Sequence, residues 1–327
     1  MPMTLTQYLE GTQLNPITKG VIYTMVKASP VASRLPFETI GDIQLMMYEA
    51  DEVPVPSHRA LNSSTVTEVS ASMTRRTETL KIIANTIKVD RQLTDNKSAV
   101  IDPIAFQVEA YSKGVAYELV NMLFWGDPDS NPDQPAGLVY RFLTDPRLSD
   151  GSPAPGTQKR VIDANNLNAD MTLASSRAKF WDALHQAFSI MPEMPDVIIT
   201  NRQGRLAFAA AARYGSGTGG YSVDRDNFDR IVERFMGVPI LDAGVTAAGA
   251  RDLDTTKQII PTTGNWANSI WLLKFGVEWF TGIQKRPLEV IRKDPRHTVP
   301  FVEVYFEWAY GFHLFNPFSV VVIRRAF

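Results

Sequence analysis

Asp127, Asp129, Asn131 and Asp133 stand at alternate positions in the run Asp-Pro-Asp-Ser-Asn-Pro-Asp. That is the spacing at which oxygen-bearing side chains open a calcium loop. The pattern then breaks: Pro132 takes the position that needs glycine for a sharp turn, and Leu138 the position that needs a bidentate Glu. The run reads as a solvated turn, and no metal is expected. Tyr214-Gly-Ser-Gly-Thr-Gly-Gly-Tyr221 has the glycine content of a phosphate loop. It lacks the Gly-Lys-Ser/Thr that grips phosphate, and it follows a helical pattern instead of a buried strand, so a flexible loop is expected. His58, His185, His297 and His313 are scattered, with no pair at metal-binding spacing. His185 lies beside the apolar face of a helix, a structural position. No Gly-x-Ser-x-Gly elbow is present. Glu303 and Glu307 differ by an even number, so they share one side of a predicted strand and read as an exposed sheet face. No catalytic constellation and no cofactor site emerge.

Composition narrows the classes further. With 327 residues the length suits about two domains. Hydrophobic residues make up 44%, enough for a sizeable core. Lys and Arg number 33 against 35 Asp and Glu, a formal charge of -2, which argues against a dedicated nucleic-acid reader. There are no cysteines, so disulfides, thiolate metal sites and Cys nucleophiles are excluded. The N-terminal stretch has no apolar core of a signal peptide, and the longest apolar runs are far short of a membrane span.

The elements follow from periodicity. Pro16, with Asn15 as cap, opens a helix striped by Ile17, Val21, Ile22, Met25 and Val26 and ending before Pro30. Phe37 to Tyr48 reads as one strand. Val66 to Arg76 is rich in Thr, Ser and Val, buries little, and lies on a long polar-tipped excursion that returns through a strand at Leu80 to Leu93. Asp102-Pro103 opens the best helix, with Val108, Val115 and Leu119 on its main apolar row and Phe106, Val120, Leu123 and Phe124 on a second. Running to Trp125, it spans roughly 35 Å and suits the spine of a domain. A helix from Ser175 to Met191, capped by Thr172 or Asp170, buries Phe180, Leu184, Ala187, Phe188 and Met191. A short apolar strand at Val197 to Ile199 and a helix at Gly204 to Arg213 follow. Strands are expected on either side of Gly237-Val-Pro, at Ser269 to Phe275, Pro287 to Lys293, Phe301 to Tyr310 and Phe318 to Ile323. Segments that project from a body are costly to order in a monomer; neighbours in an assembly would bury them.

Five stretches, in this order, resemble the major capsid proteins of tailed bacteriophages, the Hong Kong 97 fold family. They are Gly20-Val-Ile-Tyr-Thr-Met-Val-Lys with Leu35-Pro-Phe-Glu-Thr-Ile; Thr77 to Asp90; Trp125-Gly-Asp-Pro-Asp-Ser-Asn-Pro-Asp with Gly137-Leu; Pro195-Asp-Val-Ile-Ile-Thr-Asn-Arg202; and the closing set Gly237-Val-Pro-Ile-Leu, Ser269 to Gly276 and Glu307 to Phe318. The resemblance spans nearly the whole chain. It implies an α+β fold with an N-terminal arm (1–36), an extended loop with flanking strands (37–93), a peripheral domain (94–137 and 286–327, spine helix 103–125) and an axial domain (138–285).

It also implies a function without catalysis: pentamers and hexamers forming an icosahedral virion shell around double-stranded DNA, assembled in the cytoplasm of a bacterial host. Partners would be further copies of the chain, a portal protein, in some members a decoration protein, and DNA held by weak non-specific contact. No charged helical prefix precedes the arm, so a separate scaffolding protein is expected. Assembly contacts are assigned to Arg75, Arg76, Lys81 and Lys88, and the fold core to Val108, Val115, Leu119 and Leu123. Some relatives cross-link a loop Lys to a neighbour's Asn; Lys81 and Lys88 lie on the return strand instead of the tip, and no cross-link is expected. The rival readings are an encapsulin-like compartment shell enclosing protein cargo and a monomeric α+β enzyme.

Overall fold

The computed structural model describes residues 2–11, 15–50, 58–59, 61, 73–94, 102–145, 160–163, 171–214, 220–225, 231–246, 248–249, 257–293 and 300–324. Its helices are α1 (Leu5–Gly11), α2 (Pro16–Ala28), α3 (Pro30–Arg34), α4 (Arg91–Thr94), α5 (Pro103–Trp125), α6 (Leu138–Thr144), α7 (Ala174–Ile190) and α8 (Arg202–Tyr214). The strands begin with β1 (Met3–Thr4), β2 (Pro36–Thr39), β3 (Gln44–Ala50), β4 (Met73–Thr79), β5 (Lys81–Asp90), β6 (Val161–Asp163) and β7 (Val197–Thr200). They continue with β8 (Tyr221–Arg225), β9 (Ile231–Phe235), β10 (Val238–Asp242), β11 (Ile270–Leu273), β12 (Phe280–Gln284), β13 (Glu289–Lys293), β14 (Phe301–Leu314) and β15 (Val320–Arg324). The fold is α+β, as expected.

Local chemistry sets the helix starts. The Asp102 carboxylate accepts from the Ile104 amide (2.9 Å) with Pro103 at the first helical position, so α5 opens as its sequence dictates. Asn15 does the same for α2, accepting from Ile17 (3.2 Å). The cap expected on α7 from Thr172 or Asp170 is not made: Leu173 holds that position and offers no side-chain acceptor. Asp170 lies outside the described residues.

Two large sheets form the body. In the seven-stranded sheet the order is β6-β15-β11-β7-β10-β9-β8. Its central strands are buried on both faces, which is why residues 197–199, Ile270–Leu273 and residues 320–323 read as unbroken apolar runs instead of alternating ones. Ile198, Ile240, Leu272 and Val321 face α7 and α8 through Phe180, Leu184 and Phe208. Val197, Ile199, Trp271 and Val322 face the other way, into the larger core shared with α2, α5 and α6.

The six-stranded sheet is built on β14. One edge pairs with β5, from Phe301↔Asp90 to Tyr310↔Lys81. The other edge takes β12 at Tyr310–Leu314 and β13 at Glu303–Glu307, like one long strand interrupted at Pro287, which has no N–H to donate. Parallel to β12 lies β2, where Gly282 meets Phe37 so closely that a Cβ there would sit 2.6 Å from the ring.

Three expectations are corrected. Phe37 to Tyr48 is not one strand: the chain bends at Gly41–Ile43, so β2 joins the six-stranded sheet and β3 leaves it. Phe106, placed on the second apolar row of α5, is 59% exposed. The final strand, β15, belongs to the seven-stranded sheet, whereas β12 belongs with β14, so the boundary drawn at residues 285/286 does not follow the sheets. The Gly-rich segment 215–219 lies outside the described residues.

Helix α5 is a core element. Val115, Leu119 and Leu123 are 4%, 1% and 0% exposed, while Val108 is half-buried at the core's margin. Its partners extend beyond the expected C-terminal strands, with α2 lying along it and α6 closing its end. Leu119→Ala is therefore expected to cost about 2–5 kcal/mol, measured by denaturant unfolding of the soluble fraction beside the unaltered protein.

Candidate assembly surface

The strands β3 and β4 pair only with each other, from Gln44↔Thr79 to Ala50↔Met73, and join neither large sheet. An isolated two-stranded ribbon is marginal in water, so its anchorage decides whether it has a fixed direction. Alternation along the strands gives it two faces. Leu45, Met47, Arg76 and Glu78 are half-buried on the inner face. On the outer face Met46 is 51% and Tyr48 68% exposed, with Arg75 and Thr77 beside them.

The anchor is Arg141 on α6, itself only 6% exposed. Its guanidinium donates two bonds to the Glu78 carboxylate (2.6 and 2.9 Å), one to the Phe312 carbonyl (2.9 Å) and one to the Ala136 carbonyl (3.3 Å). The planar fork thus ties the ribbon's base to the end of β14 and to the loop before α6, a bidentate geometry that Lys could not supply. Arg76 adds an ion pair to Asp145 (3.6 Å). Neither α6 nor Arg141 was anticipated from sequence. The available signal is a single charge inside the apolar run Leu138-Val-Tyr-Arg-Phe-Leu143.

The four basic residues assigned to assembly contacts do not gather at one place. Arg76 is engaged within its own subunit, as above. The Lys81 ammonium donates to the Pro132 carbonyl. Lys88 pairs with Glu303 across β5 and β14 (3.1 Å), so Glu303 is not a free carboxylate of the exposed face. Arg75 lies on the ribbon's outer face, where its one bond among the described residues is to the Met46 sulfur (3.0 Å).

The acidic turn after α5 is an internal hydrogen-bond structure. Asp127 Oδ1 accepts from the Asp129 and Ser130 amides (3.0 and 3.2 Å), and Oδ2 accepts from the Ser130 hydroxyl (2.6 Å). Those bonds, the Ser130 side chain foremost, hold the Asp127 carboxyl below its ordinary range. The turn closes where the Gly137 amide meets the Gly126 carbonyl (2.8 Å); a Cβ on Gly126 would lie 2.1 Å from the Pro135 oxygen, so only glycine fits. Among the described residues no group of three or more His, Asp or Glu is placed to hold a metal ion, and no helix is long and apolar enough to cross a membrane. His185 is exposed on α7 with its ring 5.8 Å from Phe235, and His313 is buried against Phe315.

A long helix laid along a β-rich body, a second layered sheet with its own helices, and an outlying ribbon define the Hong Kong 97-like capsid fold, and this chain has it. By sequence, no family model matches the chain, and no curated protein matches it at a significant level. By structure, it is similar to the SrpI encapsulin of Synechococcus elongatus in its holo complex, at TM-score 0.60 and 12% identity, over 96% of this chain and 89% of that one. The capsid of a native GTA particle superposes at TM-score 0.57 with 15% identity, over 96% and 91%. A chain of Microbacterium phage Oxtober96 gives 0.54 and 13%, over 90% of each.

Two outcomes follow from the site. Arg141→Ala leaves Glu78 without its partner and is expected to cost about 3–5 kcal/mol, with faster hydrogen exchange in β3 and β4 as the local readout. Chelation is expected to leave thermal stability unchanged. Because the Asp127 carboxyl titrates below its ordinary value, its stabilisation of the turn is present above the unfolded-state pKa and is lost as pH falls through the lowered one. An NMR pH titration of the Ser130 amide checks this.

Proposed function

We propose that this chain is the major capsid protein of a tailed bacteriophage, forming pentamers and hexamers of an icosahedral shell around double-stranded DNA. The carrying observation is the β3–β4 ribbon: it stands outside both sheets, is held in one direction by the buried Arg141–Glu78 pair, and turns Met46 and Tyr48 to solvent. Such a ribbon gains little in a monomer and much when another copy covers it. No catalytic role is proposed.

The virion shell, built in the host cytoplasm, is the proposed location. A separate scaffolding protein, a portal protein and a decoration protein are the further partners. Contact with DNA is weak, sequence-independent and salt-sensitive. The helix α5 is not its reader, because Lys113, the one basic residue on it, is paired with Glu109 (2.7 Å). An encapsulin-like shell around protein cargo is the second reading, favoured by the TM-score of 0.60 to an encapsulin.

The test is electron microscopy and light scattering of the purified protein, then nuclease treatment and extraction of native particles. Icosahedral particles holding nuclease-resistant DNA are expected. Protein cargo without DNA would move the assignment to the compartment shell, and a monomer in solution would overturn both.

A further inference from the structure

The β3–β4 ribbon carries a soft nucleophile beside a fixed positive charge. The Met46 sulfur accepts a hydrogen bond from an Arg75 N–H at 3.0 Å. The register explains the meeting: Tyr48 stands directly opposite Arg75 and Met46 opposite Thr77, so Met46 and Arg75 are diagonal neighbours on one face. That face is the outer one, and Met46 is 51% exposed. Met25, Met122, Met171 and Met191 are buried. Met194 matches Met46 in exposure, at 51%, and has no guanidinium on its sulfur among the described residues. The two differ in surroundings and not in access.

A thioether is oxidised by nucleophilic attack. The sulfur attacks one oxygen of a peroxide, an S–O bond forms and the O–O bond breaks. The proton left on the transferred oxygen passes through water to the departing oxygen, which leaves as water or an alcohol. Sulfur loses two electrons and the peroxide gains them; the product, a sulfoxide, is the reversible step of methionine oxidation. Negative charge builds on the departing oxygen during the attack. A positive group already in place beside the sulfur favours that charge, and an Arg keeps its charge at any ordinary pH. One of the five N–H donors of Arg75 is on the sulfur, which leaves others for the departing oxygen. A thioether is a weak acceptor, whereas a bond from a guanidinium to a sulfoxide oxygen is charge-assisted and stronger.

We propose that Met46 is a site of reversible oxidation by peroxides, with Arg75 speeding the attack and then holding the sulfoxide oxygen across the ribbon. The site lies within one subunit. A second copy covering the ribbon would shield it, so the reaction belongs to the free chain. Once oxidised, β3 and β4 gain a tie that does not involve Arg141, and the outer face gains a polar group where it had an apolar one.

The test treats the full chain with hydrogen peroxide at a dilution where light scattering shows single subunits, and follows each methionine by peptide mass spectrometry. Met46 is expected to oxidise faster than Met194 by roughly threefold or more, the factor that one modest hydrogen bond supplies. Arg75→Gln should bring Met46 down to the Met194 rate and leave Met194 itself unchanged. Arg75→Lys keeps a charge without the planar fork and should fall between. A purely structural role for Arg75 predicts the opposite sign, because a loosened ribbon would expose the sulfur further and quicken the reaction. In the oxidised chain the amides of β3 and β4 should exchange with solvent several-fold more slowly, and in oxidised Arg75→Gln they should not.

Equal rates at Met46 and Met194, or an unchanged Met46 rate in Arg75→Gln, would overturn the role given to Arg75 and with it the site. Faster exchange in the ribbon after oxidation of the unaltered chain would overturn the hold on the sulfoxide.

Discussion

Trp271 is the contact through which the seven-stranded sheet is joined to the helices beside it. It projects from β11 of the seven-stranded sheet, stacks on Trp266 (5.4 Å between ring centroids), and meets Phe124 of α5 and Phe142 of α6 edge-on at 5.5 and 5.6 Å. Its indole N–H is satisfied by the Ser269 hydroxyl (2.8 Å), so the ring is buried with no unpaired donor. Through Phe124 the sheet is fixed to the long helix, and through Phe142 to the short helix that carries Arg141. The direction of the outlying ribbon thus depends on aromatic packing one residue away from its anchor.

Much of this was legible in the sequence because local signals and tertiary demands agree. Asp102-Pro103 and Asn15-Pro16 name their own helix starts, and the steps Val115, Leu119 and Leu123 name a buried face. The turn Met236-Gly237 between β9 and β10 is announced by glycine at φ 83°. What was not legible depended on partners distant in sequence. Nothing local separates Phe37, which packs on Gly282 and Trp308, from Tyr48, which faces solvent on a different ribbon. Arg141 was hidden for the same reason: its value comes from Glu78 and Phe312, 63 and 171 residues away. A lone charge in an apolar run does not say which carboxylate it will meet.

The candidate contacts illustrate the same limit. Arg75, Arg76, Lys81 and Lys88 look equivalent as basic residues in one excursion. Strand alternation separates Arg75 from Arg76, and cross-strand register gives Lys88 to Glu303. Only once those pairs are assigned does Arg75 stand apart from the other three.

The junction between β4 and β5 is a single residue, Leu80, whose amide bonds the Ile43 carbonyl (2.9 Å). Beyond it the seven described residues of β4 reach about 24 Å. That makes the ribbon a lever with its fulcrum at Leu80 and Arg141 pressing close beside the pivot. A tilt of about ten degrees there would carry the far end of β4 roughly 4 Å, about one strand spacing. The stiffness of one guanidinium fork therefore sets how far the far end of the ribbon can swing.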